Sequence, residues 1–399
     1  MRSIPFGVLC VTFCGAFSMA VIAQQGPPRG NPGPPGVNAL TDLTAAQQAA
    51  FNRGRQTFAK NYQVADGLGP VFNDQSCNAC HRGGAGSNDT VQRIGRVDAR
   101  GAFDALSEVG GSLLQSRGIG LTTSTAGTHN FVGERPPGTA NITALRRAHG
   151  VQGLGFVDAV ADTDWQALAD AQRNADPATA GRTNTVMNLS TGRLSVGKFG
   201  WKAQVPTLLQ FAADALLNEM GITNPLFRNE VCPQGDCWAL DYNPAPALND
   251  DGRDVDALND FMTLLSAPAR GAITADVTAG EQVFSQLGCA SCHAPTLRTG
   301  PSAIAALNRT EFHPYSDFLL HDMGALGDGI EQGTATGRDM RTQPLWGLRN
   351  ATRFMHDAAS RTLEDAVRRH DGQGARSRNQ FVALPAERLA QLLAFLRSL

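Results

Sequence analysis

Two short segments carry the residues best suited to chemistry, Cys77-Asn78-Ala79-Cys80-His81 and Cys289-Ala290-Ser291-Cys292-His293. Both read Cys-x-x-Cys-His, the c-type haem attachment pattern. In such a segment each thiol forms a thioether to one haem vinyl, and the two-residue spacer matches the separation of the vinyls. The adjacent histidine then falls beneath the iron as proximal ligand. A zinc site would need two such pairs close together to supply four ligands, and a redox dithiol would lie in a βαβ pattern; neither surrounds these pairs. Two covalently bound c-type haems are therefore expected, one on Cys77, Cys80 and His81, the other on Cys289, Cys292 and His293.

The flanking chain supplies elements able to hold such groups. Residues 45–62 place Phe51, Phe58 and a string of alanines at helical spacing, followed by the loop Gly67-Leu68-Gly69-Pro70. Ahead of the second segment, residues 276–284 offer a cap-like Asp276 or Thr278 and then a Gly-x-x-x-Phe helix. Residues 385–399 set Leu389, Leu392, Leu393, Phe395 and Leu396 along one face of a closing helix. The expected fold class is mainly α, two cytochrome c-like haem modules with long loops and few strands. An N-terminal haem domain over 38–268 and a C-terminal cytochrome c domain over 269–399 would meet where Pro268 and Gly271 break the helical pattern of 256–265.

Composition narrows the class further. The 399 residues are 42% hydrophobic, with 34 basic against 36 acidic side chains, so the electrostatic footprint of a nucleic-acid binder is missing. Arg2, an apolar run from Ile4 to Ile22 and small residues before Gln24 describe a secretory signal peptide over 1–23, cleaved after Ala23. Its competitor is an uncleaved membrane anchor. Residues 24–37 read as a Pro/Gly linker. The mature protein is expected in a bacterial periplasm, without a stable membrane span. Of the eight cysteines, Cys10 and Cys14 would leave with the signal peptide and four would bind haem. Cys232 and Cys237 remain for one local disulfide, structural or redox-active.

Several longer motifs then carry a resemblance: 69–76 (Gly-Pro-Val-Phe-Asn-Asp-Gln-Ser), 199–203 (Phe-Gly-Trp-Lys-Ala) and 218–224 (Asn-Glu-Met-Gly-Ile-Thr-Asn). Later come Tyr315-Ser316-Asp317, 319–324 and 341–348. In their order the sequence resembles the di-haem oxidoreductases named as peroxidases or thiol oxidoreductases, distant relatives of bacterial di-haem cytochrome c peroxidases. The resemblance spans roughly 40–399. It implies a flow of electrons from a small donor protein, such as a cytochrome c or cupredoxin, through the second haem to a first haem that binds peroxide. It also implies site residues. Glu219 resembles the peroxidase acid, Gln210 a distal-pocket glutamine, and Trp201 the tryptophan between the haems. The Gln–Glu separation is one residue shorter than in the peroxidases, and Asp214 stands where they tend to carry proline. His370 takes the place of the distal methionine on the second haem, with Met323 as the other candidate, and His356 resembles a residue that lines that haem.

No histidine lies between His81 and His129, which favours an open sixth position on the first haem. His129, His149 and Lys202 are the remaining candidates to fill it. Two of only three lysines, Lys198 and Lys202, flank Trp201 in a chain that otherwise uses arginine, which suggests propionate pairing by Lys202. Residues 249–254 could bind calcium but lack the spacing of a defined loop. Two other function classes stay open: an electron carrier with both haems six-coordinate, and an oxygenase or protein-modifying oxidase on the same scaffold.

Overall fold

The computed structural model describes Val37–Leu399, so the signal-peptide reading and Cys10 and Cys14 lie outside the described residues. Val37, assigned above to the linker, is 6% exposed and belongs to the folded core, so the linker reading reaches no further than residue 36.

The same helical device occurs twice. The first helix, Ala45–Ala59, begins with a reciprocal cap: Thr44 Oγ1 accepts from the Gln47 amide at 3.2 Å and Gln47 Oε1 accepts from the Thr44 amide at 2.9 Å. Its Phe51 and Phe58 rings pack on Phe261 of the helix Arg253–Leu264, at centroid distances of 5.4 and 4.7 Å. Gly54 permits the close crossing, because a Cβ there would lie 2.1 Å from the Ala257 carbonyl oxygen. In the C-terminal part, Ala275–Gln286 crosses Ala386–Leu396 in the same way. Phe284 meets Phe395 at 5.2 Å, and a Cβ on Gly280 would lie 2.0 Å from the Gln391 oxygen. A Gly-x-x-x-Phe face thus seats each helix on its partner, and the phenylalanine also reaches the histidine of the neighbouring attachment segment. Phe58 lies 6.4 Å from His81 and Phe284 lies 6.3 Å from His293, centroid to centroid.

Buried side chains gather in two main clusters. One runs from Val37 to Leu265 and takes in Phe312 and Phe318; the other runs from Val277 to Leu399. Strand content exceeds the expectation of few strands, with fourteen strands among the described residues, most of two to six residues, in six small sheets. The largest sheet is built on Thr90–Val97, which pairs antiparallel with Phe103–Asp104, Leu113–Leu114 and Ile142–Arg147. Its sequence, Thr-Val-Gln-Arg-Ile-Gly-Arg-Val, sets the apolar Val91, Ile94 and Val97 three residues apart, so it lacks the two-residue period that marks a half-buried strand. The sheet matters for function because Ile142–Arg147 delivers the chain to His149.

Candidate haem centres

The second attachment segment borders a cavity lined by Cys289, Cys292, His293, His321, Met323, His356 and His370, with Phe284, Leu345, Phe354, Leu392 and Leu396 giving it apolar walls. His293 Nδ1 donates to the Tyr315 carbonyl at 2.9 Å, and His370 Nδ1 donates to the Ala366 carbonyl at 2.9 Å. Both rings are thereby left with Nε2 for the cavity. The helix Leu363–Arg368, capped by Thr362, ends two residues before His370 and fixes its position. The two ring centroids lie 6.4 Å apart. Metal–imidazole bonds are about 2 Å long, and with about 1 Å more to each ring centre, two imidazoles on opposite sides of one metal have centroids about 6 Å apart. Burial lowers the pKa of both rings, His293 to about 4 with the neighbouring His370 adding to the effect, so both are the neutral donors a metal requires. Met323 lines the same cavity, but it is the imidazole of His370 that faces His293.

The first segment is built differently. Cys77–Cys80 forms a single helical turn, and His81 Nδ1 donates to the backbone carbonyl of His149 at 2.7 Å. The His81 and His149 centroids are also 6.4 Å apart. That similarity does not make His149 a sixth ligand. Its carbonyl bonds the Nδ1 edge of His81, away from Nε2, and a side chain cannot reach from there around the ring to the opposite face of a bound metal. His149 lies behind His81, its ring stacked on Phe211 at 6.1 Å, and burial pushes its pKa down to about 3. His129 is also removed from the candidate ligands, since its ring stacks on Tyr242 at 5.2 Å in the hairpin Gly120–Ser124/Gly127–Phe131.

Beside the first segment stands the end of the helix Leu208–Met220, which carries Glu219. Its carboxylate accepts from Asn73 Nδ2 at 2.7 Å, and the Asn73 amide donates to the Glu219 carbonyl oxygen at 2.7 Å. Burial raises the Glu219 pKa, partly offset by Asn73 and by Arg93, so the carboxyl holds its proton above the usual carboxylate range. Asp214, hydrogen-bonded to Asn218 at 2.9 Å, is raised by burial as well. Asn73 lies four residues before Cys77, so its two bonds place Glu219 near the attachment segment.

Gln210 does not share this location. Nine residues along a helix turn a side chain through about half a revolution, so Gln210 and Glu219 occupy opposite faces. The Gln210 amide is spent on the hairpin Asn184–Asn188/Arg193–Gly197 region, accepting from the Leu189 amide at 2.8 Å and donating to the Met187 carbonyl at 3.2 Å. It is a tie between helix and hairpin rather than a pocket glutamine. Lys202 also departs from expectation. Its ammonium is fully buried, 2.9 Å from Asp328 Oδ1, and donates to the carbonyls of Thr336 and Asp339, so no donor is free for a propionate or a metal. The acidic loop expected to be a possible calcium site is likewise used internally: Asp254 receives Lys60 and the Tyr62 hydroxyl, while Asp250 caps the amides of Asp254 and Val255. No cluster of metal-binding carboxylates is found among the described residues.

Trp201 lies between the two centres. Its ring lines the cavity of the second centre and meets His149 at 5.8 Å on one side and His356 at 6.1 Å on the other. Its Nε1 donates to the Arg147 carbonyl at 2.9 Å, two residues before the carbonyl that receives His81. Sequence reasoning missed this use of Arg147 and His149, and no local pattern marks it. It also missed Arg341 and Gln343, although both stand within a family motif. The last cysteine pair, Cys232–Cys237, is bonded as a disulfide.

The residues present fit two c-type haems. The four attachment cysteines are unpaired, and burial raises the Cys77 and Cys289 thiols to about 12, unlike the low-pKa thiols of redox dithiols. A family model described as "Di-haem oxidoreductase, putative peroxidase" matches residues 140–399. None of the curated proteins matches the chain. Among solved structures it is similar to the diheme peroxidase BthA from Burkholderia thailandensis E264, at 14% identity over 88% of this chain and 86% of that one, with a TM-score of 0.40. A MauG-like protein associated with microbial copper homeostasis gives 13% identity over 92% and 94%, TM-score 0.39. Hydrazine synthase from Kuenenia stuttgartiensis gives 13% over 95% and 99%, TM-score 0.40. The family match extends over more than half of the sequence, and on it the chain belongs to the di-haem oxidoreductases.

Proposed function

We propose that the protein is an exported di-haem c-type oxidoreductase that reduces a peroxide at the first centre with electrons received at the second. The observation that carries this reading is the asymmetry of the imidazoles. His370 faces His293 across the second cavity, whereas the ring nearest His81 stands behind it. A centre with two facing imidazoles suits electron storage, and a centre with one leaves a position for substrate. When bound, the haems supply redox-active iron and, at the first centre, a coordination position for the oxidant.

The chain's own residues supply the rest. The His149 carbonyl fixes the tautomer and direction of His81. Glu219, whose pKa burial raises and whose side chain Asn73 aims, can give or take a proton near the first centre. The overall reaction, ROOH + 2 e⁻ + 2 H⁺ → ROH + H₂O, needs that proton and a second from solvent. Its two electrons come from a small donor protein such as a cytochrome c or cupredoxin. Trp201, in ring contact with His149 and bordering the second cavity, is the aromatic link between the centres. Export is supported by the residues at 1–23 and by the Cys232–Cys237 disulfide. The N-terminal haem domain would then end near residue 268.

Low-temperature electron paramagnetic resonance of the half-reduced protein tests the reading. A high-spin signal that cyanide converts to low spin, with oxidation of reduced donor on adding peroxide, is the expected result. A wholly low-spin spectrum indifferent to both ligands identifies an electron carrier instead, and oxygen uptake without peroxide identifies an oxidase.

A further inference from the structure

The second cavity contains three buried donors that no protein atom satisfies: Arg147 Nε, Arg341 Nη1 and Gln343 Nε2. Arg341 is 2% exposed. The carboxylates close by are already engaged, Asp328 with Arg146 and Lys202, and Asp317 with His321 and Gln172. Burial lowers the Arg341 pKa to about 9 and lowers that of Arg147 as well. An uncompensated buried cation costs several kcal/mol. The fully buried Arg341, beside the partly buried Arg147 and an amide donor in a cavity with otherwise largely apolar walls, calls for an anionic ligand with more than one oxygen.

We propose that Arg147, Arg341 and Gln343 form a carboxylate cradle that receives the propionates of the second haem and turns its propionate edge toward Trp201. The inference rests on the reading that a haem is attached at Cys289 and Cys292. Trp201 is held by the same two arginines: its Nε1 donates to the Arg147 carbonyl at 2.9 Å, and its own carbonyl accepts from the Arg341 amide at 2.9 Å. Arg341 Nε further donates to the Gly200 carbonyl at 2.6 Å. The cradle and the aromatic link are therefore one rigid unit. Bidentate guanidinium groups suit carboxylates in a way that the saturated Lys202 does not.

The test uses the holoprotein, with haem attachment at each site read first by mass spectrometry, and then the reduction potential of the second haem by spectroelectrochemistry. Removing a buried positive charge disfavours the reduced centre. Arg341→Met and Gln343→Glu are each expected to lower its reduction equilibrium constant about tenfold, 59 mV for a one-electron couple. Arg341→Lys, which restores the charge, should recover most of the difference. Gln343→Glu conserves shape and keeps the test open if Arg341→Met does not fold. With haem attached, a change below threefold in the folded variants overturns the cradle alone. Wild-type protein without haem mass on Cys289 and Cys292 overturns the attachment reading and the cradle with it.

Discussion

Asp328 joins two buried cations, and replacing it by asparagine tests whether this triad is a structural unit. Its side chain is fully buried, as is that of Lys202, and Arg146 is 4% exposed; Asp328 lies 2.7 Å from Arg146 Nε and 2.9 Å from Lys202 Nζ. Asp328→Asn leaves both cations without a counter-charge. Removing one partner of a buried pair costs about 3–5 kcal/mol. Lys202 keeps the Thr336 and Asp339 carbonyls and Arg146 keeps Gln332, so a value of about 4 kcal/mol is appropriate for the pair together. At about 2 cal/mol/K of unfolding entropy per residue, the roughly 360 described residues convert this to a fall of about 5 °C in Tm. Lys202→Met leaves a neutral Arg146–Asp328 pair and strands two carbonyls, for a cost of about 1–3 kcal/mol, and the double variant should cost less than the sum of the two. The neighbouring cations hold the Asp328 pKa below its ordinary value despite burial. The stabilisation is therefore complete above the unfolded carboxylate pKa of about 4 and is lost as pH falls through the lower folded value, so wild type and Asp328→Asn should converge in acid. Thermal unfolding between pH 3 and 7 reads all of this. A cost below about 1 kcal/mol at neutral pH, or a haem spectrum altered by Lys202→Met, refutes the reasoning.

Three further outcomes follow from the geometry. His370→Met should raise the potential of the second haem and change its low-spin spectrum, since a thioether replaces an imidazole; an unaltered spectrum removes His370 from the iron. Glu219→Gln should slow peroxide turnover by about 10²–10⁴ while the fold and both potentials hold. In the wild type, turnover that depends on protonated Glu219 should be lost as pH rises through its raised pKa, measured by the pH profile of kcat. Gly280→Ala drives a Cβ to 2.0 Å from the Gln391 oxygen and should lower Tm by opening the helix crossing, whereas Ala at the exposed Gly138 position meets no atom within 4 Å and should leave Tm unchanged.

Much of the site was legible because it is local. The attachment segments and the disulfide pair follow from spacing within a few residues, and the place of His370 follows from the family resemblance of its segment. Lys202 misled for a physical reason: scarcity in composition indicates that a residue is unusual, not what it touches, and its partners lie more than a hundred residues away. Gln210 misled because resemblance at a spacing one residue short rotates the side chain to another helix face. The strand Thr90–Val97 was overlooked because its apolar residues do not alternate, and its pairing with Ile142–Arg147 lies some fifty residues away.

The sequence by itself carried the expectation of two attached haems and of His81 and His293 beneath them, because that chemistry needs only five consecutive residues. Tertiary structure decided the rest: that His370 stands opposite His293 while His149 stands behind His81, that Trp201 is anchored between them, and that Arg147, Arg341 and Gln343 converge with no protein partner for one donor each. These relations join residues fifty to two hundred positions apart. They depend on how helices and strands pack, and no short-range pattern of residue types encodes the face of a ring on which a distant side chain arrives.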